Sequence, residues 1–340
     1  MSRLWILGAP DPEMAAIETL LQECGETVAY ATIDGARVHA GNAYRAECPG
    51  ELQGGMGERL SAVYRVECMW DPSWESLACP VHVIDHHRPG DPGYGRPPAE
   101  FLAASSLGQV VAELARVDAL RWSKGIGLSS RREPGHFFVP RPGGDSGWTV
   151  ESRILSADFP ADALCLRVPA EIVLTAAADH CLGAAYRGDC PGVDLEELMR
   201  YRTEQRAAIQ GRTVEELLAD IEATRAALMA APVLHVDSHT HTEDHNWSRS
   251  VCEGCARELA EPLRDMRRET PWPELPEAAT REGIGYMSGP LIGPDGRRKF
   301  TCSGTAEQVR AWLNWADDEG LVELYGDPAR GFAGGYEAPS

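Results

Sequence analysis

Aromatic side chains make up only 7% of this 340-residue chain, and basic residues are outnumbered by acidic ones, 32 to 52, for a formal charge of -20. Few rings do not exclude a proper core. Hydrophobic residues still reach 43%, with Ala, Val and Leu supplying what the aromatics do not. The shortage of positive charge argues against a long nucleic acid as partner, since a basic track is needed to displace phosphate counterions. A mononucleotide or short oligonucleotide stays open, because metal ions supply positive charge locally. No apolar run approaches the ~20 residues that span a bilayer, so no membrane partner is expected. Met1 to Gly8 reads as a strand, broken by Pro10 and Pro12 too soon for a secretory signal. The ten cysteines lack a tight framework and fit reduced thiols, which points to a cytoplasmic protein.

What is present is alternation. Leu4 to Leu7 predicts a strand. Asp11 then caps a helix with Pro12 at its first position and Met14, Ile17, Leu20 and Leu21 inside, ending at Gly25. Thr27 to Ile33, Val63 to Val66 and Val81 to Ile84 follow as further strands. This order predicts an α/β fold with a mostly parallel sheet and helices on both faces. Residues 123–156 break the pattern and read as an insertion of Gly, Pro and basic residues. Ala163 to Val168 resumes as a strand, and Pro169 starts a helix carrying Ile172, Leu174 and Asp179. Residues 194–231 are strongly helical and are expected to connect a first domain, 1–193, to a smaller α/β domain, 232–340. The charges of the connector read as a solvated face.

Asp85-His86-His87 closes the apolar run Val81 to Ile84. A Gly/Pro loop follows, and then Ser105 and Ser106 open a helix with Leu107, Val110, Val111, Leu114 and Val117 at helical spacing. Open α/β sheets place ligands at the carboxyl tips of buried strands. A carboxylate beside two imidazoles there suits Mn²⁺, Mg²⁺ or Zn²⁺. A solvated loop with two surface histidines is the plain alternative.

With these residues the chain resembles the DHH phosphoesterase superfamily, which includes RecJ-type exonucleases, nano-RNases, cyclic dinucleotide phosphodiesterases, exopolyphosphatases and family II pyrophosphatases. Gly8-Ala9-Pro10-Asp11-Pro12-Glu13-Met14-Ala15-Ala16-Ile17 has the outline of the family's first motif. Its His falls on Ala9, its first Asp on Glu13 and its second Asp on Ala15. The second motif, a strand ending in Asp, has its counterpart in Val63 to Val66 ending at Glu67, with Asp71 nearby. Asp179 fits the place of the fourth-motif Asp. Toward the C-terminus, Arg298 to Ser303, Ala306 to Ala316 and Tyr325 to Tyr336 resemble the strand, helix and Gly-rich segment of the DHH-associated domain, without its His.

The resemblance implies a role for each of these residues. His86 would bind metal, His87 would touch phosphate, and Asp85 would orient them, the three forming the catalytic group. Asp179 and Glu67 would complete one site for Mn²⁺ or Mg²⁺. Glu13, with Asp11 as either a ligand or only a helix cap, is what remains for a second, so one metal is expected rather than two. Arg330, Gly331, Gly334 and Gly335 would grip substrate, since glycine lets backbone N–H groups approach a phosphate and arginine holds it bidentately. A Gly-rich turn between strands is the alternative reading of that segment.

A second candidate metal site lies further along. His235, His239, His241 and His245 precede Cys252-Glu253-Gly254-Cys255, and a Cys-x-x-Cys knuckle with two of these histidines, for which His239 and His241 are the candidates among several pairings, can hold structural zinc. A polar loop with two ordinary thiols is the alternative. Val236 to His241 also resembles the opening strand of amidohydrolase or PHP-type metal enzymes, but a closed barrel needs ~200 residues or more, and that reading is discounted.

The function expected is therefore hydrolysis of a small nucleotide, short oligonucleotide or cyclic dinucleotide. The alternative is a DHH-fold protein that has lost hydrolysis and binds or sequesters such a ligand, favoured by Ala9 and Ala15. A third reading is an interaction protein held by a zinc knuckle. The expected partners are a small phosphorylated ligand and, as an open alternative, a second copy of the chain in a homodimer.

Overall fold

The computed structural model describes residues 2–47, 60–70, 79–116, 126–128, 136–140, 163–234, 262–268, 272–292 and 296–338. The chain divides into two compact units, Met1–Gly211 and Arg212–Ser340. The helices expected to form one connector thus fall one in each unit. No described helix is long and apolar enough to cross a membrane.

In the first unit, β1 (Ser2–Leu7), α1 (Pro12–Glu23), β2 (Thr27–Tyr30), β3 (Thr32–Ile33), β4 (Ala36–Arg37), β5 (Leu60–Val66) and β6 (Val81–Ile84) come first. They are followed by α2 (Phe101–Ala104), α3 (Ser106–Arg116), β7 (Gly127–Leu128), β8 (His136–Pro140), β9 (Ala163–Arg167), α4 (Ala170–His180), α5 (Leu182–Tyr186) and α6 (Leu195–Gln210). The main sheet has the order β2-β1-β5-β6, and all of its pairings are parallel. β3 and β4 form a small antiparallel pair, and β7-β9-β8 form a separate antiparallel sheet.

Side chains along β1 alternate between the two faces, as the period of two requires. Trp5 and Leu7 pack with Met14, Ile17 and Leu21 of α1 and with Leu107, Val110 and Leu114 of α3. Leu4 and Ile6 face the other way, against Ala29, Ala31, Val38, Ala43 and Trp70. Fully buried aliphatics such as Ile17 and Leu107 each contribute about 1.5–3 kcal/mol. The expectation of helices on both faces needs correction. Among the described residues the helices cover one face, and the other is closed by residues around the β3–β4 pair and a 3-10 turn at Ala43–Arg45. The predicted strand Thr27 to Ile33 is also interrupted. After Tyr30 it leaves the main sheet, and Thr32–Ile33 pairs with Ala36–Arg37 instead.

Local chemistry sets the helix starts. The Asp11 carboxylate accepts from the Met14 N–H at 2.6 Å, with Pro12 in the first turn. Ser105 is extended (ψ 152°), so the helix expected from Ser105 begins at Ser106, after the separate short turn of α2. Asp194 caps α6 through the Glu197 N–H, and Gly211 ends it in the left-handed region (φ 62°).

The second unit contains α7 (Val214–Ala230), β10 (Val233–Leu234), β11 (Leu263–Arg267), α8 (Leu275–Glu282), β12 (Tyr286–Ile292), β13 (Arg298–Ser303), α9 (Ala306–Asp318), β14 (Val322–Asp327) and β15 (Phe332–Tyr336). Its sheet, β10-β11-β12-β13-β15-β14, is mixed, with only β11 and β12 parallel. Trp312 of α9 fills its core against Met287 and Leu263.

Candidate metal centre

Parallel pairing brings the carboxyl ends of β1, β5 and β6 side by side, and the next residues of each strand form the floor of a polar cluster. After β6 comes Asp85, buried with its carboxylate facing the chain that follows it. Oδ1 accepts from the N–H groups of His86 (2.7 Å) and His87 (3.1 Å) and from His87 Nδ1 (2.9 Å). The Tyr44 hydroxyl donates to Oδ2 at 2.9 Å. Burial alone would push this carboxyl up, but the hydrogen bond and charge of His87, the charge of His86 and the Tyr44 hydroxyl together bring it down to about 2. Asp85 is therefore an anion that fixes the conformation of both histidines.

His86 is completely buried. Its Nε2 lies 3.3 Å from Asp179 Oδ2, and its Nδ1 lies 3.9 Å from Glu67 Oε1 and 3.3 Å from Ser106 Oγ. The ring stacks on His87 at 4.2 Å and meets His180 edge-on at 5.1 Å. The loop after the triplet closes over it through Gly93. A Cβ there would stand 2.0 Å from the Ala104 carbonyl oxygen and 2.7 Å from His86 Cβ.

Glu67 follows β5 in the left-handed region (φ 50°), an uncommon and strained place for a side-chain-bearing residue. Its N–H is held by the Ile84 carbonyl at 3.0 Å. Gly8, at the end of β1, permits this bend, because a Cβ there would lie 2.3 Å from the Glu67 carbonyl oxygen. Glu13 comes from the first turn of α1 and reaches the start of α3, where Oε1 accepts from the Leu107 N–H at 3.0 Å. Asp179 sits in the last turn of α4 and remains partly exposed.

Two groups of donor atoms result, each with its members within 4.8 Å of one another: Glu67, His86 and His87, and Glu13, His86 and Asp179. His86 belongs to both. The electrostatics of the cluster are unbalanced. Burial and then Asp179 push Glu13 well above the usual carboxylate range, and burial and then Glu13 do the same to Glu67. Burial and the neighbouring Asp179 raise Asp11 to about 6, although it also serves as the α1 cap. Glu13 Oε2 and Glu67 Oε1 are buried with no hydrogen-bond partner. Mixed carboxylate and imidazole donors, crowded and short of hydrogen, suit a divalent cation such as Mn²⁺, Mg²⁺ or Zn²⁺.

The structure thus brings together Glu13, Glu67, Asp85, His86, His87 and Asp179. Ala15 lies on the exposed side of α1 and Ala9 is half-buried, and neither carries a donor. Arg330, Gly331, Gly334 and Gly335 belong to the second unit. Arg330 is buried there with its guanidinium 4.7 Å above the Phe332 ring, and Gly331 takes φ 84° at the β14–β15 turn. Gly334 and Gly335 lie within β15 beneath Tyr325 and Leu324, where a Cβ would collide at 2.2 and 2.5 Å. Packing therefore accounts for these two glycines. His239, His241, Cys252, Cys255, Asp71 and most of the 123–156 insertion lie outside the described residues.

Sequence reasoning missed Tyr44, Ser106 and His180. Only His180 carried a local signal, being next to Asp179 at the end of an apolar helix. Comparison with family models, curated proteins and solved structures finds nothing that matches the chain.

Proposed function

We propose that this protein is a metal-dependent phosphoesterase of the DHH type, acting on a small nucleotide, short oligonucleotide or cyclic dinucleotide. One observation carries the reading: Glu13, Glu67, His86, His87 and Asp179, dispersed in sequence, converge at the carboxyl end of a parallel sheet, with Glu13 Oε2 and Glu67 Oε1 buried without a hydrogen-bond partner. A bound Mn²⁺ or Mg²⁺ would neutralise the carboxylates and polarise a phosphoryl oxygen. His86 with Asp179 and Glu13, or with Glu67 and His87, would hold it. One such ion is favoured over two, because Ala9 and Ala15 offer nothing.

Asp85 accepts from Nδ1–H of His87, which directs Nε2 outward from a half-exposed ring. With the ion held by Glu13, His86 and Asp179 and the His87 ring protonated, Nε2–H can donate to a phosphoryl oxygen and pass a proton to the leaving oxygen. Tyr44 holds Asp85 from the opposite side, and Arg88 lies 3.6 Å above the Tyr44 ring, which keeps a cation close to the mouth. In this reading the second unit corresponds to the DHH-associated domain, and Arg330 and Gly331 contribute to ligand binding.

The missing donors at Ala9 and Ala15 support a second reading, a protein that binds a nucleotide-like ligand without hydrolysing it. Purified protein with Mn²⁺ should be offered pApA, cyclic dinucleotides and pyrophosphate. Turnover that disappears in His86→Ala supports the enzyme. Tight binding of one of these ligands without turnover supports the second reading, failure to bind Mn²⁺ overturns the first, and failure to bind any of the ligands overturns the second.

A further inference from the structure

Two thiols lie against one another at the end of the helix that carries Asp179. α4 stops at His180, and Cys181 is both the cap of that helix and the residue that opens α5. Cys190 comes nine residues later and folds back onto it. Cys181 Sγ and Cys190 Sγ are 2.7 Å apart, and both side chains are buried. A sulfur–sulfur bond is ~2.03–2.05 Å long, so the pair stands closer than unbonded sulfurs rest and within easy reach of bonding. The chain between them is tightly turned. The Ala185 N–H donates to the Cys181 carbonyl at 2.8 Å and the Asp189 N–H to the Ala184 carbonyl at 3.0 Å. The Tyr186 hydroxyl donates to the Leu195 carbonyl at 3.2 Å, at the start of α6. Arg187, Gly188 and Asp189, just before Cys190, are exposed, whereas His180, just before Cys181, is buried.

We propose that Cys181 and Cys190 are a modification site, a reversible disulfide formed by exchange with a small disulfide such as oxidised glutathione. Cys190, beside the exposed run, attacks one sulfur of the small disulfide; that S–S bond breaks and one thiol leaves. Cys181 then attacks the Cys190 sulfur of the mixed disulfide and expels the second thiol. The two protein thiols are oxidised, the small disulfide is reduced, and both protons leave on the released thiols. Such exchange lets a dithiol follow the thiol poise of its surroundings. The new bond closes a short ring of chain from 181 to 190, which restricts the unfolded state. In the reduced protein each sulfur carries a hydrogen and the two must draw apart, which loosens the corner directly after Asp179 and His180. Mn²⁺ therefore binds more tightly to the oxidised form, a consequence that rests on the metal-centre reading.

The test equilibrates the full-length protein in glutathione buffers from reduced to oxidised, alkylates it in denaturant and cuts it with trypsin without reduction. Cleavage after Arg167, Arg187 and Arg200 leaves Cys181 and Cys190 as single cysteines in separate peptides, 168–187 and 188–200. After oxidised buffer the two peptides should appear joined, and dithiothreitol should part them. The oxidised protein should melt about 5–10 °C above the reduced one. Cys190→Ser should abolish the joined peptide and the redox shift in Tm together, while Cys24→Ser should keep both. By isothermal titration, Mn²⁺ should bind about threefold more tightly to the oxidised form. Full alkylation of both thiols after oxidised glutathione, a lasting glutathione adduct on Cys190, or a redox shift in Tm that persists in Cys190→Ser overturns the site. Equal Mn²⁺ affinity in the two forms overturns its effect on the metal centre. A joined peptide without Mn²⁺ binding in either form keeps the disulfide and overturns the metal-dependent reading.

Discussion

Replacing Glu13 by Gln should stabilise the metal-free protein while weakening its hold on a cation. The Glu13 and Asp179 oxygens lie within 4.8 Å. Two ionised carboxylates at that separation repel by about 3.5 kcal/mol at an effective dielectric constant of about 20. Gln removes that repulsion and can still accept from the Leu107 N–H through its amide oxygen. It gives up the favourable negative charge at the α3 N-terminus, about 0.5–1 kcal/mol. The net gain is about 2.5–3 kcal/mol. For a unit of the size of Met1–Gly211, that corresponds to a rise in Tm of about 5–12 °C.

The gain carries a sign in pH. The Glu13 carboxyl titrates above its usual 4.5 in the folded protein, so the folded state holds its proton longer than the unfolded chain does. Stability therefore falls as pH rises above that value, and the benefit of Gln should be small at about pH 5 and grow as pH rises. Calorimetric melting in chelator and in Mn²⁺ measures both halves. Saturating Mn²⁺ at about 100 Kd should add about 2.7 kcal/mol to wild type and distinctly less to Glu13→Gln. The reasoning fails if Glu13→Gln lowers the Tm of the metal-free protein at about pH 8, for then the charge on α3 matters more than the repulsion.

Other sites give sharper structural outcomes. Asp85→Asn should cost about 2–3 kcal/mol at neutral pH in denaturant unfolding, because its amide nitrogen would face donors from His86, His87 or Tyr44. The ionised Asp85, held at about 2 against 3.8, contributes about 2 kcal/mol that is present above 3.8 and lost as pH falls toward 2, which acid titration of stability should show. Gly93→Ala should lower Mn²⁺ affinity at least tenfold, by isothermal titration, since its Cβ displaces His86. In the second unit Trp312→Ala should cost about 3–5 kcal/mol by calorimetry, for a fully buried ring whose Nε1 rests 3.0 Å from Met287 Sδ.

What was legible in the sequence was local. The apolar run into Asp85, the Asp11–Pro12 helix start and the acidic end of the Val63 to Val66 strand each announce themselves within a few residues, and all reappear around the candidate metal centre. What was hidden depends on neighbours distant in the chain. Gly334 and Gly335 read as a phosphate grip, but their smallness answers to Tyr325 and Leu324 on the adjacent strand, and cross-strand register is not written in either segment. The cations of α6 read as solvated because periodicity reveals a face without naming what it faces; only the packing on α4 turns Arg202 toward Asp179. Tyr44 reaches Asp85 across 41 residues with no sequence pattern to mark it.

The position of His86 between both donor groups sets a limit on stoichiometry. A neutral imidazole has a single lone pair, so one ring nitrogen can face a cation only while the other keeps its hydrogen. If Nε2 is engaged on the Asp179 side, Nδ1–H is turned toward Glu67 or Ser106; if Nδ1 is engaged, Nε2–H is turned toward Asp179. Filling either flank with a cation would thus select the tautomer that closes the other, and the ring would act as a toggle between two mutually exclusive candidate seats.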